Sequence, residues 1–467
     1  MDIETEDFAT KGYIKTRLTV MSFMQFFVWG SWLITIGNYW FGNKHWNATE
    51  FGAIFTTMGI SSVFMPSLMG MLADKWINTE RLYAILHVLS GISLLFLPWA
   101  GNPTEFFWVI LLAMIFYMPT ISLSNAVSYS ILSSSNLNVV KSFPPIRVWG
   151  TIGFIAAMWF TNLTGNKASV NQFYFAGIAS FILAVYALSL PKCPPSKQTG
   201  ESKSLVQTFG LDAFKLLANY KMLLFFLSSL LLGGALQLTN MYGDTYLDFF
   251  KYFPKYADSF SVKYSTIIMS ISQVSETLFI LAIPFFLSKF GIKKVMLISM
   301  IAWVLRFGLL SFGNPTDGLW MIIVSCIVYG MAFDFFNISG SLFVNSNVPK
   351  ENRASAQGLF MMMTNGFGAI LGSSLSGILI DKYFTLKFTS IQTLSTYFEA
   401  KATDKTIQEL LTGNEVLLNG TLKNPVLIKD WSPIWLTFAI YALIVTVLFA
   451  LLFKHKHDPK ALMEVSH

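Results

Sequence analysis

Charged residues are scarce in this chain, at 12% of its 467 residues, and cysteine occurs only twice. A chain with so little charge cannot surround one hydrophobic core with a solvated surface, which excludes an ordinary soluble globular protein. Cys193 lies in a polar linker and Cys326 in an apolar run, so we predict neither a disulfide framework nor a thiolate metal site.

Patterns typical of catalysis and metal binding are missing as well. No cluster of His, Cys, Asp or Glu has metal-ligand spacing, and no Gly-x-Ser-x-Gly or Walker pattern occurs. The N-terminal stretch "MDIETEDFATKGYIKTR" is not followed by a cleavage-site pattern, so we expect no removable signal peptide. We therefore predict that the protein is not an enzyme and that it holds no cofactor and no metal.

Hydrophobic residues make up 54% of the chain, with 44 Phe, 13 Trp and a mean hydropathy of +0.56. This composition predicts an integral membrane protein whose main partner is the lipid bilayer. The net charge of +7 is spread over short loops instead of one patch. We interpret it as a topology signal and predict no nucleic-acid partner.

Twelve apolar segments are long enough, at roughly 20 residues each, to cross a bilayer core of about 30 Å. In chain order, segments 1 to 12 lie near 17–41, 50–75, 82–100, 105–133, 143–163, 171–190, 221–247, 264–289, 294–312, 318–346, 353–381 and 432–453. We predict an N-terminal six-helix half at 1–190, a cytoplasmic linker at 191–220, and a C-terminal half at 221–467 with a long periplasmic loop at 382–431.

Lysine and arginine counts predict the orientation. Placing both termini and every even-numbered connection on one side collects 19 basic residues there and leaves 11 on the other side. Six of those 11 lie in the 382–431 loop, and the charge rule is weak for long loops. We therefore expect both termini in the cytoplasm.

The two halves carry traces of an internal repeat. "TIGF" at 151–154 matches "TNGF" at 364–367, and "LADKW" at 72–76 aligns with "LSKFGIKK" at 287–294 at a similar offset. Weak internal symmetry of this period is typical of duplicated transporter halves. The second pair also resembles two incomplete copies of the loop motif of the major facilitator superfamily. The predicted fold class is therefore an all-α membrane protein with twelve helices in two pseudo-symmetric halves.

Two acidic residues lie deep in the apolar segments. Glu276 is in segment 8, with Gln273 one turn earlier on the same face, and Asp334 is in segment 10. Charge at membrane depth is costly, so such residues usually face a cavity and serve function. Each acid could instead pair with a buried arginine as a structural tie. Two central acids on different helices favour a proton-coupled cavity.

Arg147, in "FPPIRVWGTIGF" of segment 5, admits two interpretations. By position it could extend to the cytoplasmic interface. It also forms one helical stripe with Thr151 and Phe154, which together offer a cation, a hydroxyl and an aromatic face. The pair Pro144–Pro145 predicts the first turn of this helix just before Arg147.

Two further polar residues lie in outer segments. Arg306 in segment 9 has no evident partner, so we assign it a structural or interfacial role and leave it outside the site. His87 in segment 3 is interpreted as a structural histidine.

Carboxamides and aromatic rings predict the kind of ligand. Gln237 and Asn240 lie one turn apart in segment 7, and Gln273 could act likewise. Carboxamides both donate and accept hydrogen bonds, as recognition of a nucleobase edge requires. Phe154 and Phe333 could cover a flat ring. A hexose could use the same groups, so the residues define a polar, neutral, ring-bearing ligand.

Long runs of this sequence resemble the bacterial nucleoside:proton symporters of the major facilitator superfamily. They include "FPPIRVWGTIGF", "LQLTNMYGDTY", "IIMSISQVSETLFIL", "YGMAFDFFNISG" and "RASAQGLFMMMTNGFG", and the similarity covers nearly the whole chain. The resemblance implies proton-driven import of purine and pyrimidine nucleosides across the inner membrane. It also implies substrate contacts from Arg147, Thr151, Phe154, Gln237, Asn240, Gln273, Glu276, Tyr329, Phe333 and Asp334.

Our mechanistic hypothesis gives proton coupling to Glu276, Asp334 or both. Burial of an acid disfavours its ionised form, so it can take up a proton and release it as the halves rock between two states. We expect Arg147 to face the two acids across the interface between the halves, and the protein to act as a monomer. The alternatives are a sugar or oligosaccharide:proton symporter of the same superfamily and a membrane nucleoside receptor or sensor that does not transport.

Overall fold

The computed structural model describes residues 2–195, 211–349, 353–412, 414–417 and 419–454, and these residues are mostly helical. In chain order, the long helices are Asp2–Gly30, Ala48–Lys75, Thr79–Phe96, Pro103–Ser134, Val139–Leu163, Asn171–Ser189, Tyr220–Phe249, Ile271–Phe312, Leu319–Ala332, Asp334–Asn347, Arg353–Met361, Ala369–Tyr383 and Trp431–Leu452. Part of the predicted linker at 191–220 lies outside the described residues.

All twelve predicted membrane segments coincide with helical structure. Nine stretches of the described chain are long and apolar enough to cross a membrane. One of them, Ser265–Phe312, contains Gly291 with φ 75° and ψ 168°, a conformation that ends one helix and begins the next. This stretch therefore contains both segment 8 and segment 9. Segments 1 and 5 also coincide with helices, but their mean hydropathy is too low for them to be among the nine stretches.

The same helix pairing recurs in both halves. Segment 1 packs on segment 5, where Gly30 lies against the backbone of Phe154. Segment 7 packs on segment 11, where Gly233 lies against the backbone of Thr364. A side chain at either glycine would collide with the neighbouring backbone, so both glycines permit close approach of two helices. This symmetry agrees with the repeat seen in the sequence.

Segments 10 and 11 are both interrupted near their middle. Segment 10 breaks at Phe333, so that one helix ends at Ala332 and the next begins at Asp334. Segment 11 contains a π-helical stretch at Met362–Gly368, which includes the "TNGF" sequence. Such interruptions within a membrane are tolerated where the backbone lines a cavity or is buried in protein.

Residues 384–430, which we call the cap, form a small folded unit where the sequence predicts only a long polar loop. Strands β1 (Thr385–Ser390) and β2 (Thr421–Lys429) pair antiparallel, with Thr385 opposite Lys429. The short helices Ile391–Tyr397 and Lys405–Leu410 lie between them. The cap has its own hydrophobic core, which includes Leu394, Phe398, Ile407, Leu410 and Ile428 and extends to Tyr252 at the end of segment 7.

The bundle therefore has two distinct ends. We call the end that carries the cap the cap face, and the opposite end, where the chain enters segment 1 and leaves segment 12, the terminal face. Because the predicted number of membrane crossings is even, segment 1 begins and segment 12 ends on the same side, the terminal face.

Candidate functional site

Arg147 lies inside the protein, more than two helical turns from the start of its helix. The helix begins at Val139, and the Asn138 side chain accepts a hydrogen bond from the backbone N–H of Lys141 at 3.0 Å. Our prediction that Pro144–Pro145 forms the first turn is therefore wrong, because the Asn138 cap starts the helix earlier. The Arg147 guanidinium lies 4.1 Å from the ring centre of Phe26 in segment 1, a cation–π contact with the inner face of the N-terminal half.

Glu276 and Asp334 face Arg147 from the other half. Arg147 interacts electrostatically with both acids, and the acids interact with each other. Within the described part of the chain, none of the three is in an ion pair of 4.0 Å or less. Asp334 is 7% exposed and opens the second helix of segment 10, whereas Glu276 is half-buried. The three charges therefore lie near one another without a direct ion pair among the described residues.

Several buried polar atoms of segments 1, 7, 8 and 10 lack a hydrogen-bond partner among the described residues. They are Gln237 Oε1, Gln273 Oε1, Asp334 Oδ2 and Trp29 Nε1. Buried polar groups are nearly always paired, so donors and acceptors left open on inner helices of both halves indicate a place where a polar ligand binds. No three His, Cys, Asp or Glu side chains of the described chain are clustered as metal ligands.

The remaining predicted residues occupy different surroundings. Thr151 is half-buried one turn beyond Arg147, and Asn240 is half-buried one turn beyond Gln237. Phe154 packs edge-on against Trp29, with ring centres 6.4 Å apart. Phe333 is the exception, because it lines a narrow crevice with Gly233, Trp303 and Thr364 at the break in segment 10. Its predicted role as a cover for the substrate ring stays a prediction.

Tyr329 is held by Arg306, the residue that we left outside the site. The Arg306 guanidinium lies 4.4 Å from the Tyr329 ring centre, and Tyr329 interacts electrostatically with Glu276 and Asp334. Arg306 is 1% exposed, so an interfacial role is wrong. It donates hydrogen bonds to Thr239 Oγ1 at 3.2 Å, Ser272 Oγ at 3.2 Å and the Ser325 carbonyl at 2.9 Å.

Through these contacts Arg306, on segment 9, ties together the three C-terminal segments that carry predicted site residues, segments 7, 8 and 10. Thr239 precedes Asn240, Ser272 precedes Gln273, and Ser325 lies one turn before Tyr329. The sequence could not show this, because each partner lies on a different helix. His87 has the structural role that we assigned to it, since its two ring nitrogens lie 2.9 Å from Ser180 Oγ and Gln25 Oε1.

Two inner aromatic residues of segment 1 belong to the same surroundings, although sequence analysis did not select them. Phe26 stacks under Arg147, and Trp29 contacts both Phe154 and Tyr117 with its indole nitrogen unpaired. The run "FFVWGSW" offered a signal, because aromatic residues there recur at helical spacing. In an apolar membrane helix, however, that spacing does not separate inward-facing residues from lipid-facing ones.

Hydrogen bonds and ion pairs join the two halves toward the cap face. Asn38 Nδ2 donates to Asp244 Oδ2 at 2.6 Å, and Lys167 Nζ lies 2.5 Å from Asp248 Oδ1. Further in, Trp159 Nε1 donates to Ser270 Oγ at 2.9 Å. We call this set of contacts between the halves the seam.

Asp381 adds another part of the seam. Its carboxylate accepts the backbone N–H groups of Ala48 at 3.0 Å and Thr49 at 2.6 Å, at the N-terminus of segment 2 in the opposite half. Lys429 of the cap pairs with the same carboxylate at 2.9 Å. A carboxylate at a helix N-terminus is favoured by the helix dipole, so Asp381 fastens one half to the other.

The terminal face is built differently. A hydrophobic cluster there, which includes Leu18, Ala73, Leu82 and Leu132, consists of N-terminal-half residues together with Cys193 of the linker in the described chain. The large cluster that reaches the cap face contains residues of both halves. The halves are thus joined toward the cap face, while the N-terminal half packs a separate cluster toward the terminal face.

Comparisons with known proteins agree with this architecture. A family model described as "Nucleoside H+ symporter" matches residues 13–411. The xanthosine permease of Escherichia coli (strain K12) is 45% identical over 448 residues, covering 96% of this chain and 97% of that protein. The nucleoside permease NupG of the same organism is 44% identical over 457 residues, covering 97% of this chain and 100% of that protein.

A solved structure gives the same result in three dimensions. A crystal structure of the nucleoside transporter NupG, 44% identical, matches with a TM-score of 0.81 and covers 95% of this chain and 100% of that chain. The predicted fold class, a helical membrane protein with the major facilitator fold, is confirmed. The two-stranded sheet of the cap is the one departure from an all-α chain among the described residues.

Proposed function

This chain belongs to the nucleoside H+ symporter family, and from that membership we propose that it carries nucleosides together with protons across the cell membrane. The predicted family resemblance is confirmed over nearly the whole chain. The relatives are permeases, so the protein is a transporter and not an enzyme.

One observation supports this function most strongly: a cation of one half interacts with two acids of the other half, and carboxamide oxygens of segments 7 and 8 are buried without a partner among the described residues. A nucleoside is neutral and carries ribose hydroxyls and a flat base. Arg147 can donate to its hydroxyl or carbonyl oxygens, Gln237 and Gln273 can pair with the base edge, and the Phe154 and Trp29 rings can pack against it.

We assign proton coupling to Glu276 and Asp334. Two carboxylates that lie near each other in a low-dielectric space disfavour simultaneous ionisation, so one proton taken up lowers their mutual repulsion. Arg147 favours the ionised form of both acids, so its engagement by substrate would change how readily they hold a proton. Binding of nucleoside and binding of proton are thereby linked through the same three charges.

Alternating access follows from the seam. With the seam closed, the central site communicates with the terminal face, and opening of the seam exposes the site to the cap face. We place the terminal face and both termini in the cytoplasm and the cap in the periplasm, on the distribution of lysine and arginine. The state that the structure describes is then inward-open. The transporter is a monomer of the bacterial inner membrane, with six-helix halves at 1–190 and 221–467.

A ligand panel on purified protein tests the substrate class. We expect uridine and adenosine, but neither free bases nor hexoses, to raise the unfolding temperature and to compete for uptake of labelled uridine in proteoliposomes with an inward proton gradient. Stabilisation and competition by sugars alone would contradict the proposal and favour a sugar symporter. Binding of nucleosides without any uptake would favour a receptor.

A further inference from the structure

A polar cavity lies on the cap face, bordered by residues of the seam. Its volume is about 290 Å³, near the lower end of the range for small-molecule sites. Three parts of the chain enclose it. The end of segment 1 and the turn after it contribute Asn38 and Trp46, the end of segment 7 contributes Thr245, and the cap with the start of segment 12 contributes Lys429 and Trp431.

Three side chains that line this cavity carry buried polar atoms with no partner in the described part of the chain. The atoms are Asn38 Oδ1, Thr245 Oγ1 and Trp431 Nε1, on residues that are 2%, 6% and 5% exposed. Asn38 Nδ2 is already bonded to Asp244, so its acceptor oxygen is held in a fixed orientation. An acceptor, a hydroxyl and an indole donor on residues of the cavity lining are thus unpaired within the described chain, and a polar ligand would satisfy them.

The charged residues at this cavity already have partners. Lys429 is bonded to Asp381 and to Thr385 Oγ1, each at 2.9 Å. Burial lowers the pKa of Lys429, and the ion pair with Asp381 opposes that shift. Asp248 is paired with Lys167 and Lys251. Because these charges are paired within the protein, the cavity favours a neutral polar ligand over an ion.

Aromatic side chains supply the rest of the lining. Trp46, Phe41, Tyr252 and Trp431 all border the cavity. Rings of this kind can pack on a flat base, while the open donor and acceptors take hydroxyl or carbonyl groups. The chemistry matches that of the central site, although the residues differ and the closed seam lies between the two sites.

We propose that this cavity is an outer nucleoside-binding site, which holds a nucleoside on the cap face while the seam is closed. This inference rests on the proposed function, because the ligand class is that of the transported substrate. The site is formed jointly by both halves and the cap, so its walls separate when the seam opens. A nucleoside bound there is positioned next to the entrance that the opening creates.

Cysteine protection with uridine as the probe tests this site. Both native cysteines are buried, so a cysteine introduced in the cap would be the accessible thiol. Thr412 is exposed and lines the cavity, whereas Thr403 is exposed on the same cap and is not among the lining residues. Thr412→Cys and Thr403→Cys in the full-length protein therefore give a probe and a matched control for labelling by a membrane-impermeant maleimide.

We expect uridine at ten times its dissociation constant to slow labelling of Thr412→Cys about tenfold and to leave Thr403→Cys unchanged. Protection should persist when Arg147→Ala removes central binding. It should disappear in a Trp431→Phe, Thr245→Val double variant, which keeps an aromatic ring and a β-branched side chain and loses the indole donor and the hydroxyl.

Three results would overturn the outer site: no protection of Thr412→Cys, protection that Arg147→Ala abolishes, or protection that survives the double variant. A failure of the proposed function is separate and visible, since the unmodified protein would then neither bind nor accumulate uridine. Uptake without protection would leave the transporter assignment intact and remove only the outer site.

Discussion

The centre of the molecule and the seam both bury acids between the two halves, but in the part of the chain that the structure describes, Asp381 and Asp248 of the seam are in ion pairs and the two central acids are not. In the seam, Asp381 accepts two backbone N–H groups and an ion pair, and Asp248 pairs with two lysines. In the centre, Glu276 and Asp334 have no ion pair among the described residues, although Arg147 lies near enough to interact with both.

This difference separates a structural acid from a functional one. A fully paired carboxylate stays ionised and holds two elements together, and removal of one partner leaves a costly buried charge. An unpaired acid in an apolar space retains the capacity to bind a proton or a ligand group. The hydrogen bonds and ion pairs of the seam must therefore break during transport, whereas the central site must bind substrate and proton.

The largest effect is expected from Arg147→Ala, which removes the only cation of the central charge cluster. A hydrogen bond to a charged group contributes about 1.5–3 kcal/mol, so the affinity for uridine should fall at least ~10- to 100-fold. Calorimetric titration of uridine measures the loss. Arg147→Lys keeps the charge but lacks the planar guanidinium group. Its affinity for uridine should therefore lie between those of Arg147→Ala and the unmodified protein.

The same variant distinguishes the two interpretations of Arg147. Thermal unfolding of ligand-free Arg147→Ala should stay close to that of the unmodified protein, because the central charges have no direct ion pair to lose. A variant that binds uridine normally but is markedly less stable would show that Arg147 is an anchor and not a substrate ligand.

A second, smaller effect is expected at the seam from Asp381→Asn. The substitution removes an ion pair and weakens two charge-assisted hydrogen bonds, so the seam should open more often, by about tenfold. The measurement is maleimide labelling of Ser270→Cys, a position that is 2% exposed in the closed seam. Uridine affinity at the centre should change little.

The control for the seam is Asp258→Asn on the same face. Asp258 pairs with Lys263 at 3.1 Å, but both side chains are largely exposed, so their ion pair contributes little. Labelling of Ser270→Cys should then remain at its original rate. Equal labelling rates of Ser270→Cys in the Asp381→Asn and Asp258→Asn variants would contradict the claim that paired acids hold the seam closed.

The smallest effect is expected from Trp29→Phe. The aromatic contacts with Phe154 and Tyr117 persist, and only the open Nε1–H donor is lost. One neutral hydrogen bond contributes about 0.5–1.5 kcal/mol, so uridine affinity should fall ~2- to 10-fold. Trp149→Phe, at a site 45% exposed on the outer surface, serves as the matched control and should leave affinity unchanged. A normal affinity in Trp29→Phe would exclude Trp29 from the site.

The fold was largely predictable from the sequence, because each membrane segment is a local feature of about 20 apolar residues. Glu276, Asp334 and Arg147 could be selected for a similar reason, since charge in an apolar helix is rare and costly. The helix start at Val139 was missed because two prolines outweighed the Asn138 cap in our interpretation.

Contacts between distant parts of the chain could not be predicted in the same way. Arg306 looks isolated in the sequence, since its partners come from three other helices. The fold of the cap could not be predicted, because the sequence shows only a polar composition there. Its core depends on the pairing of two strands that are separated by about 30 residues. The seam pairs residues as far apart as Ala48 and Asp381, which no local pattern records.

The most direct test of the account is uridine accumulation in proteoliposomes under an imposed inward proton gradient, compared across Glu276→Gln, Asp334→Asn and Asp381→Asn. We predict that at least one central variant loses gradient-driven accumulation while it still exchanges internal for external uridine, and that Asp381→Asn still accumulates uridine in response to the gradient. Full gradient-driven accumulation in both central variants would contradict the assignment of proton coupling to the unpaired acids.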